Sequence, residues 1–251
     1  DFLFLGASLG AHAEFAERNT TLEVRYELER DTVGSSVDPT FSRRRHGHRL
    51  AATLTQLLDD HTVVDLIADG TATSGYQASP YRRIALERPG WPSAIYVDEV
   101  TPTARVSLAV AARLRRELRS TWFATATYRY CFDDWALVSH TAAAEVRHRI
   151  GDRWLLGIAL RGYQQRGASF YRGSYQLTPQ AVAPSLRTRD RTLGPMRDLA
   201  ASVTIDRTLG TTERWHVVAA VGAIAWWYFD DPAQAHRRAV TSTLSVSASL
   251  E

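Results

Sequence analysis

The chain has 251 residues, 45% of them hydrophobic and 23% charged, with a formal net charge of only +3. So even a balance gives no electrostatic footprint for nucleic acid, and a single cysteine, Cys131, excludes an internal disulfide and a cysteine-based metal site. The longest uncharged apolar run, Trp215 to Phe229, falls short of the ~20 residues a spanning helix needs, which leaves strands as the only route across a membrane.

Alternation recurs along the whole chain. The first segment, Phe2 to Phe15, ends in a tight polar turn at Glu17–Thr21. In the next, Leu22, Val24, Tyr26 and Leu28 oppose Glu23, Arg25, Glu27 and Glu29. Successive strand side chains point to opposite faces, so this is a strand with one apolar and one charged face. Leu50, Ala52 and Leu54 then oppose Arg49, Thr53 and Thr55, after the link Val33–Gly47; the stretch Arg44–His48 carries His46 and His48 behind a run of Arg and is expected to be a solvated or lipopolysaccharide-touching loop. A long link, Ser74–Pro102, precedes Val106, Leu108, Val110, Ala112 and Leu114, which oppose Arg105, Ser107 and Arg113.

Later segments repeat the scheme. Ala142, Ala144 and Val146 oppose Thr141, Glu145 and Arg147; Leu199, Ala201, Val203 and Ile205 oppose Ser202, Thr204 and Asp206; Val240, Leu244 and Val246 oppose Thr241, Thr243 and Ser245. About eleven such segments, most near ~10 residues, are joined alternately by short turns and long links, the longest being Gly167–Met196. That is an up-and-down antiparallel meander forming one domain over residues 1–251, and it matches transmembrane β-barrels, whose turns are short on one side and loops long on the other.

Aromatic placement separates a membrane barrel from the competing soluble, ligand-binding β-barrel. Trp122, Trp154 and Trp215 each open a strand on its apolar parity, and Tyr128, Tyr130 and Trp227 stand on the same parity at the far ends. A soluble core places its largest rings centrally; a bilayer places amphipathic rings at its two headgroup levels. The opposite face, with Glu23, Arg25, Arg105, Arg113, Glu145 and Arg147, is affordable only if wet or paired. The expected fold is therefore all-β, a transmembrane barrel of about twelve strands. Eleven are visible here; parity of strand direction calls for one more ahead of Asp1, and the native C-terminus is expected beyond Glu251.

Three motifs stand at the long-loop ends: SGYQASPYR (Ser74–Arg82), YRYCFDDW followed by SHT (Tyr128–Trp135, Ser139–Thr141), and RGYQQRGASFY (Arg161–Tyr171). They resemble a family of bacterial outer-membrane barrel proteins of unknown function, over roughly residues 20 to 175. Here Cys131 and Gly162 stand where that family commonly has Tyr. The resemblance implies the barrel fold, an outer-membrane location and a further strand before this chain begins; it implies no reaction.

Parity turns Arg129, Cys131, Arg161, Tyr163 and Gln165 inward, with Tyr81, Arg82, Asp133 and Asp134 in the loops above, so a network of ion pairs is expected at the mouth. Charged rings of this kind select solutes in pores. A lipid hydrolase is the enzymatic alternative. It needs a nucleophile and base in contact, and parity sends Ser139 and Cys131 inward but His140 outward. Asp133 with Asp134 is a thin basis for calcium, which takes 6–8 oxygens. The expectation is a narrow or gated pore, or a membrane scaffold for an envelope protein, without catalysis, cofactor or metal, and in contact with lipid and lipopolysaccharide.

Overall fold

A computed structural model describes residues 2–177, 184–209, 215–230 and 235–248. Eleven strands form one large sheet: β1 (Phe2–Phe15), β2 (Thr20–Gly34), β3 (Ser42–Asp59), β4 (Thr62–Gly75), β7 (Ala104–Arg119), β8 (Trp122–Asp133), β9 (Val138–Ile150), β10 (Trp154–Arg166), β12 (Met196–Leu209), β13 (Trp215–Tyr228) and β14 (His236–Ala248). A second sheet of three short strands, β5 (Arg83–Glu87), β6 (Ile95–Asp98) and β11 (Tyr175–Gln176), is built from the two longest links, in the order β11-β5-β6.

Each strand of the large sheet pairs antiparallel with the one that precedes it there, so the meander read from alternation is the observed topology. The strands run from 12 residues in β8 to 18 in β3, longer than the apolar stripes, because hydrogen bonding continues past the point where alternation stops. This corrects one expectation. His46 and His48 are strand residues of β3, not loop residues, and the connection from β2 spans only residues 35–41. β1 and β14 point the same way and do not pair with one another among the described residues. The expected strand ahead of Asp1, the C-terminus and the turn at Gly210–Arg214 lie outside the described residues.

Burial is inverted relative to a soluble protein. Leu9, Leu50, Leu66, Ile158, Leu160, Leu199, Val221, Val240 and Leu244 are exposed along the outward face of the large sheet. A soluble monomer rarely exposes so continuous an apolar surface. The buried apolar residues come almost wholly from the loops: Ile84, Leu86, Trp135, Leu137, Ala168, Phe170, Tyr171 and Tyr175, with Ala109 the contribution of the wall. Lipid in place of water on the outer face explains why the strands need no second layer to cover them. Trp122, Trp154 and Trp215 are exposed at one end of this face; at the other stand exposed Tyr128 and half-buried Tyr130 and Trp227. The protein is an all-β transmembrane barrel fold.

The inward face is held by ion pairs, most of them between neighbouring strands and one, Glu145 with Arg147, along β9. Asp65 on β4 accepts from Arg113 Nε at 2.7 Å, Arg115 at 3.0 Å and Thr55 Oγ1 at 2.8 Å. Arg49 spans three strands, donating to Asp69 at 2.7 Å and reaching Glu27 at 3.4 Å. Asp31 takes Arg45 at 2.7 Å, and Glu145 takes Arg147 at 2.7 Å. Glu23 and Arg25 form no ion pair among the described residues. Towards β14 the same face carries mainly small residues, including Ala200, Ser202, Gly222 and Thr241, so the lumen is charged on one side and smooth on the other.

Candidate functional site

The three motifs meet at the long-loop end, where the β4–β7 and β10–β12 links fold together into a cap. Its first core packs Ile84, Leu86 and Tyr175 with Val97 and Leu177; its second packs Trp135, Ala168, Phe170 and Tyr171 with Leu193. β11 pairs parallel with β5, so the backbone of one link completes the sheet of the other. The burial that the first core shares between the two links offsets the entropy of ordering them.

At the centre lies Glu99, which parity reading missed. Its carboxylate is almost wholly buried and accepts from Arg82 at 2.9 and 3.0 Å, Ser79 N–H at 2.8 Å and Thr188 Oγ1 at 2.5 Å. Arg82 also reaches Asp190 at 3.0 Å. Thr188 and Asp190 belong to the second link, so this cluster ties the two links by charge as the first core ties them by burial, while the second core ties the second link to Trp135 of the β8–β9 turn. Tyr175 Oη accepts from Thr188 N–H at 2.9 Å and lies within bonding distance of the Phe170 and Thr188 carbonyls. Burial raises its phenol above the ordinary value, which keeps the donating proton in place.

The cap sits on the lumen side of the wall. Gln165 faces inward on β10, is buried, and donates to the carbonyls of Thr192 at 2.8 Å and Gly194 at 2.7 Å. Gln77 of the first link donates to Thr73 Oγ1, on the inward face of β4, at 3.0 Å. Both links therefore bend over the mouth. Two glycines permit it. Gly75, at φ +102°, presses on β3, where a Cβ would lie 2.2 Å from the Arg44 carbonyl; at Gly173 one would lie 1.5 Å from that of Asp230.

The expected single network divides into separate ties. Arg82 belongs to the Glu99 cluster. Tyr81 Oη instead accepts from Ser36 N–H at 2.8 Å, binding the first link to the β2–β3 turn. Asp133 takes Arg105 at 2.8 Å while its other oxygen caps Trp135 N–H at 3.0 Å and Leu137 N–H at 2.9 Å, and Arg105 lies 4.6 Å from the Trp135 ring. Asp134 accepts from Val106 N–H at 3.1 Å. With both oxygens of Asp133 engaged and Asp134 bonded to Val106 N–H, the Asp pair forms the turn. Arg161 pairs with Asp198 at 2.6 Å and lies 5.4 Å from the Tyr163 ring; Tyr163 Oη donates to Gln165. Arg129 is the exception: it is exposed and has no ion-pair partner among the described residues, contrary to expectation.

Ser139, His140 and Cys131 do not converge. Cys131 and Ser139 are paired across β8 and β9 on the inward side, whereas His140 is exposed outside with Nδ1 2.6 Å from Tyr128 Oη.

Residues 36–225, well over half of the chain, match the family model described as "Protein of unknown function (DUF3570)". The chain belongs to the DUF3570 family. No curated protein matches it. Among solved structures it is similar to the siderophore receptor PirA from Pseudomonas aeruginosa, with a TM-score of 0.61 at 9% identity, covering 98% of this chain and 44% of that one. The likeness is one of fold, and the chain spans less than half of the receptor. Alignments to the siderophore receptor PiuA from Acinetobacter baumannii (TM-score 0.42, 12% identity, 97% and 44% covered) and to the KdgM porin (0.39, 9%, 98% and 100%) are too loose to bear on the fold. This DUF3570 chain thus joins a membrane-barrel wall to a folded cap.

Proposed function

We propose that this DUF3570 protein is an outer-membrane barrel acting as a narrow pore, gated by its cap, with no catalytic role. The observation that carries the reading is the inward bend of both links onto Gln165 and Thr73, which puts a folded element across the mouth of a wet, charged lumen. Buried ion pairs and two small cores hold the cap in place, so it narrows passage in the resting state. Arg129, inward and without an ion-pair partner among the described residues, is the residue a passing anion meets at that level.

Fractionation is expected to place the chain in the outer membrane, and purified protein in planar bilayers to give small, infrequent current steps. Arg129→Glu lowers the chloride-over-potassium permeability ratio several-fold by replacing the free cation with an anion. Bilayers that stay silent both for this protein and for variants with a loosened cap would end the pore reading. A scaffold reading is favoured by one feature, the exposed Trp91, Ile95 and Tyr96 at the tip of the cap, which suit a protein partner. It predicts a silent barrel that co-purifies with another envelope protein and releases it on Trp91→Ala.

A further inference from the structure

The outward face of the wall is apolar along most of its height, but one patch at the long-loop end differs. Register aligns Tyr130, His140, Gln164, Arg197 and Trp227 in a row across β8, β9, β10, β12 and β13. The row beneath reads Tyr128, Ala142, Gly162 and Leu199. Gly162 and Ala142 leave a low floor between taller neighbours, and a Cβ at Gly162 would meet no atom within 4 Å. The result is an outward groove of about 580 Å³, walled by Tyr128 and His140 on one side and by Trp227 and Phe229 on the other.

The charges of the groove set it apart from the lumen. Inward-facing Arg45, Arg49, Arg105, Arg113 and Arg161 each touch a carboxylate. Arg197 faces outward, 5.3 Å from the Phe229 ring, and has no carboxylate partner among the described residues. Gln164 and Arg166, exposed on the same face of β10, have no polar partner among the described residues either. A cation at the edge of hydrocarbon without a counter-charge is unfavourable until an anion reaches it. The groove therefore offers an apolar trough, aromatic walls and a cationic lip, in that order towards the long-loop end.

We infer that this groove holds a phosphorylated lipid of the outer leaflet, the lipid A portion of lipopolysaccharide, with an acyl chain over Gly162, Ala142 and Leu199 and a phosphate on Arg197 and Arg166. The assignment rests on the outer-membrane placement proposed above. A protein partner suits the patch less well, because the trough opens on the face that lipid solvates and is floored by the smallest side chains.

Native mass spectrometry of protein extracted from outer membranes in mild detergent tests the inference. Wild-type protein is expected to retain one lipopolysaccharide. Gly162→Phe, whose Cβ has open space and whose ring fills the floor, and Arg197→Glu, which reverses the lip, are each expected to weaken retention roughly tenfold, the effect of losing one good contact. Arg18→Gln, at the opposite end of the wall, retains the lipid. Heat-modifiable gel mobility reports that each variant is folded. Wild-type protein without bound lipid, or both groove variants with full occupancy, would overturn the assignment. A parallel arm reconstitutes the protein in phosphatidylcholine vesicles carrying purified lipid A, so that failure of the outer-membrane placement and failure of the groove give different results.

Discussion

Asp65→Ala is expected to lower the stability of the folded wall by about 2–4 kcal/mol, read as an earlier transition in urea in lipid vesicles. The Asp65 carboxylate is fully buried and neutralises two cations, Arg113 and Arg115, at 2.7 and 3.0 Å. Removing it leaves two guanidinium groups on one face of β7 with nothing between them. Buried pairs broken on one side cost about 3–5 kcal/mol; the figure is lowered here because both arginines are partly wetted, 39% and 46% exposed, and water screens what remains. Asp65→Asn keeps the shape and the bond from Thr55, so its loss should be smaller. A transition unchanged by Asp65→Ala would show that the lumen charges do not hold the wall.

The second large effect concerns the cap. Glu99→Ala leaves Arg82 facing Asp190 alone and strips Thr188 and Ser79 of their acceptor, at an expected cost of ~3 kcal/mol to the docked cap. The loss is local, because the wall strands do not depend on Glu99. Hydrogen exchange should therefore rise in residues 76–103 and 168–177 while wall amides stay protected. If the cap gates the lumen, the same variant gives larger or more frequent current steps than wild type. Raised exchange with unchanged current would keep the cap but deny it the gate. Glu99→Gln removes the charge but keeps one acceptor: the amide oxygen can still accept from Arg82 and Thr188 while the bond from Ser79 N–H is lost, so a phenotype near wild type would show that ionisation carries little of the cap's stability.

Several features of the site were legible because strand geometry is periodic. Inward Arg129, Arg161, Tyr163 and Gln165 and outward His140 all follow from counting in twos. The same count ended the idea of a Cys131–His140 pair before any coordinates were needed. Their partners were not legible. Asp198 reaches Arg161 from 37 residues away, and Thr188 reaches Glu99 from 89. Cap residues obey no period, since one core is shared between the two links and the other is completed by Trp135 of the β8–β9 turn. His46 and His48 were misread for a related reason: a strand continues as long as its neighbour offers hydrogen bonds, even where the side chains have stopped alternating.

What the sequence by itself determined is the wall: antiparallel order, which face meets lipid, and where the aromatic ends lie. Each depends only on local alternation and on short turns that force neighbours in sequence to be neighbours in space. What only the tertiary structure decided is the cap: that two links share one sheet, that Glu99 is their common anchor, and that Gln165 draws them over the lumen. Those contacts join residues far apart in sequence, and their strength comes from burial and charge pairing that exist only once both links are in place.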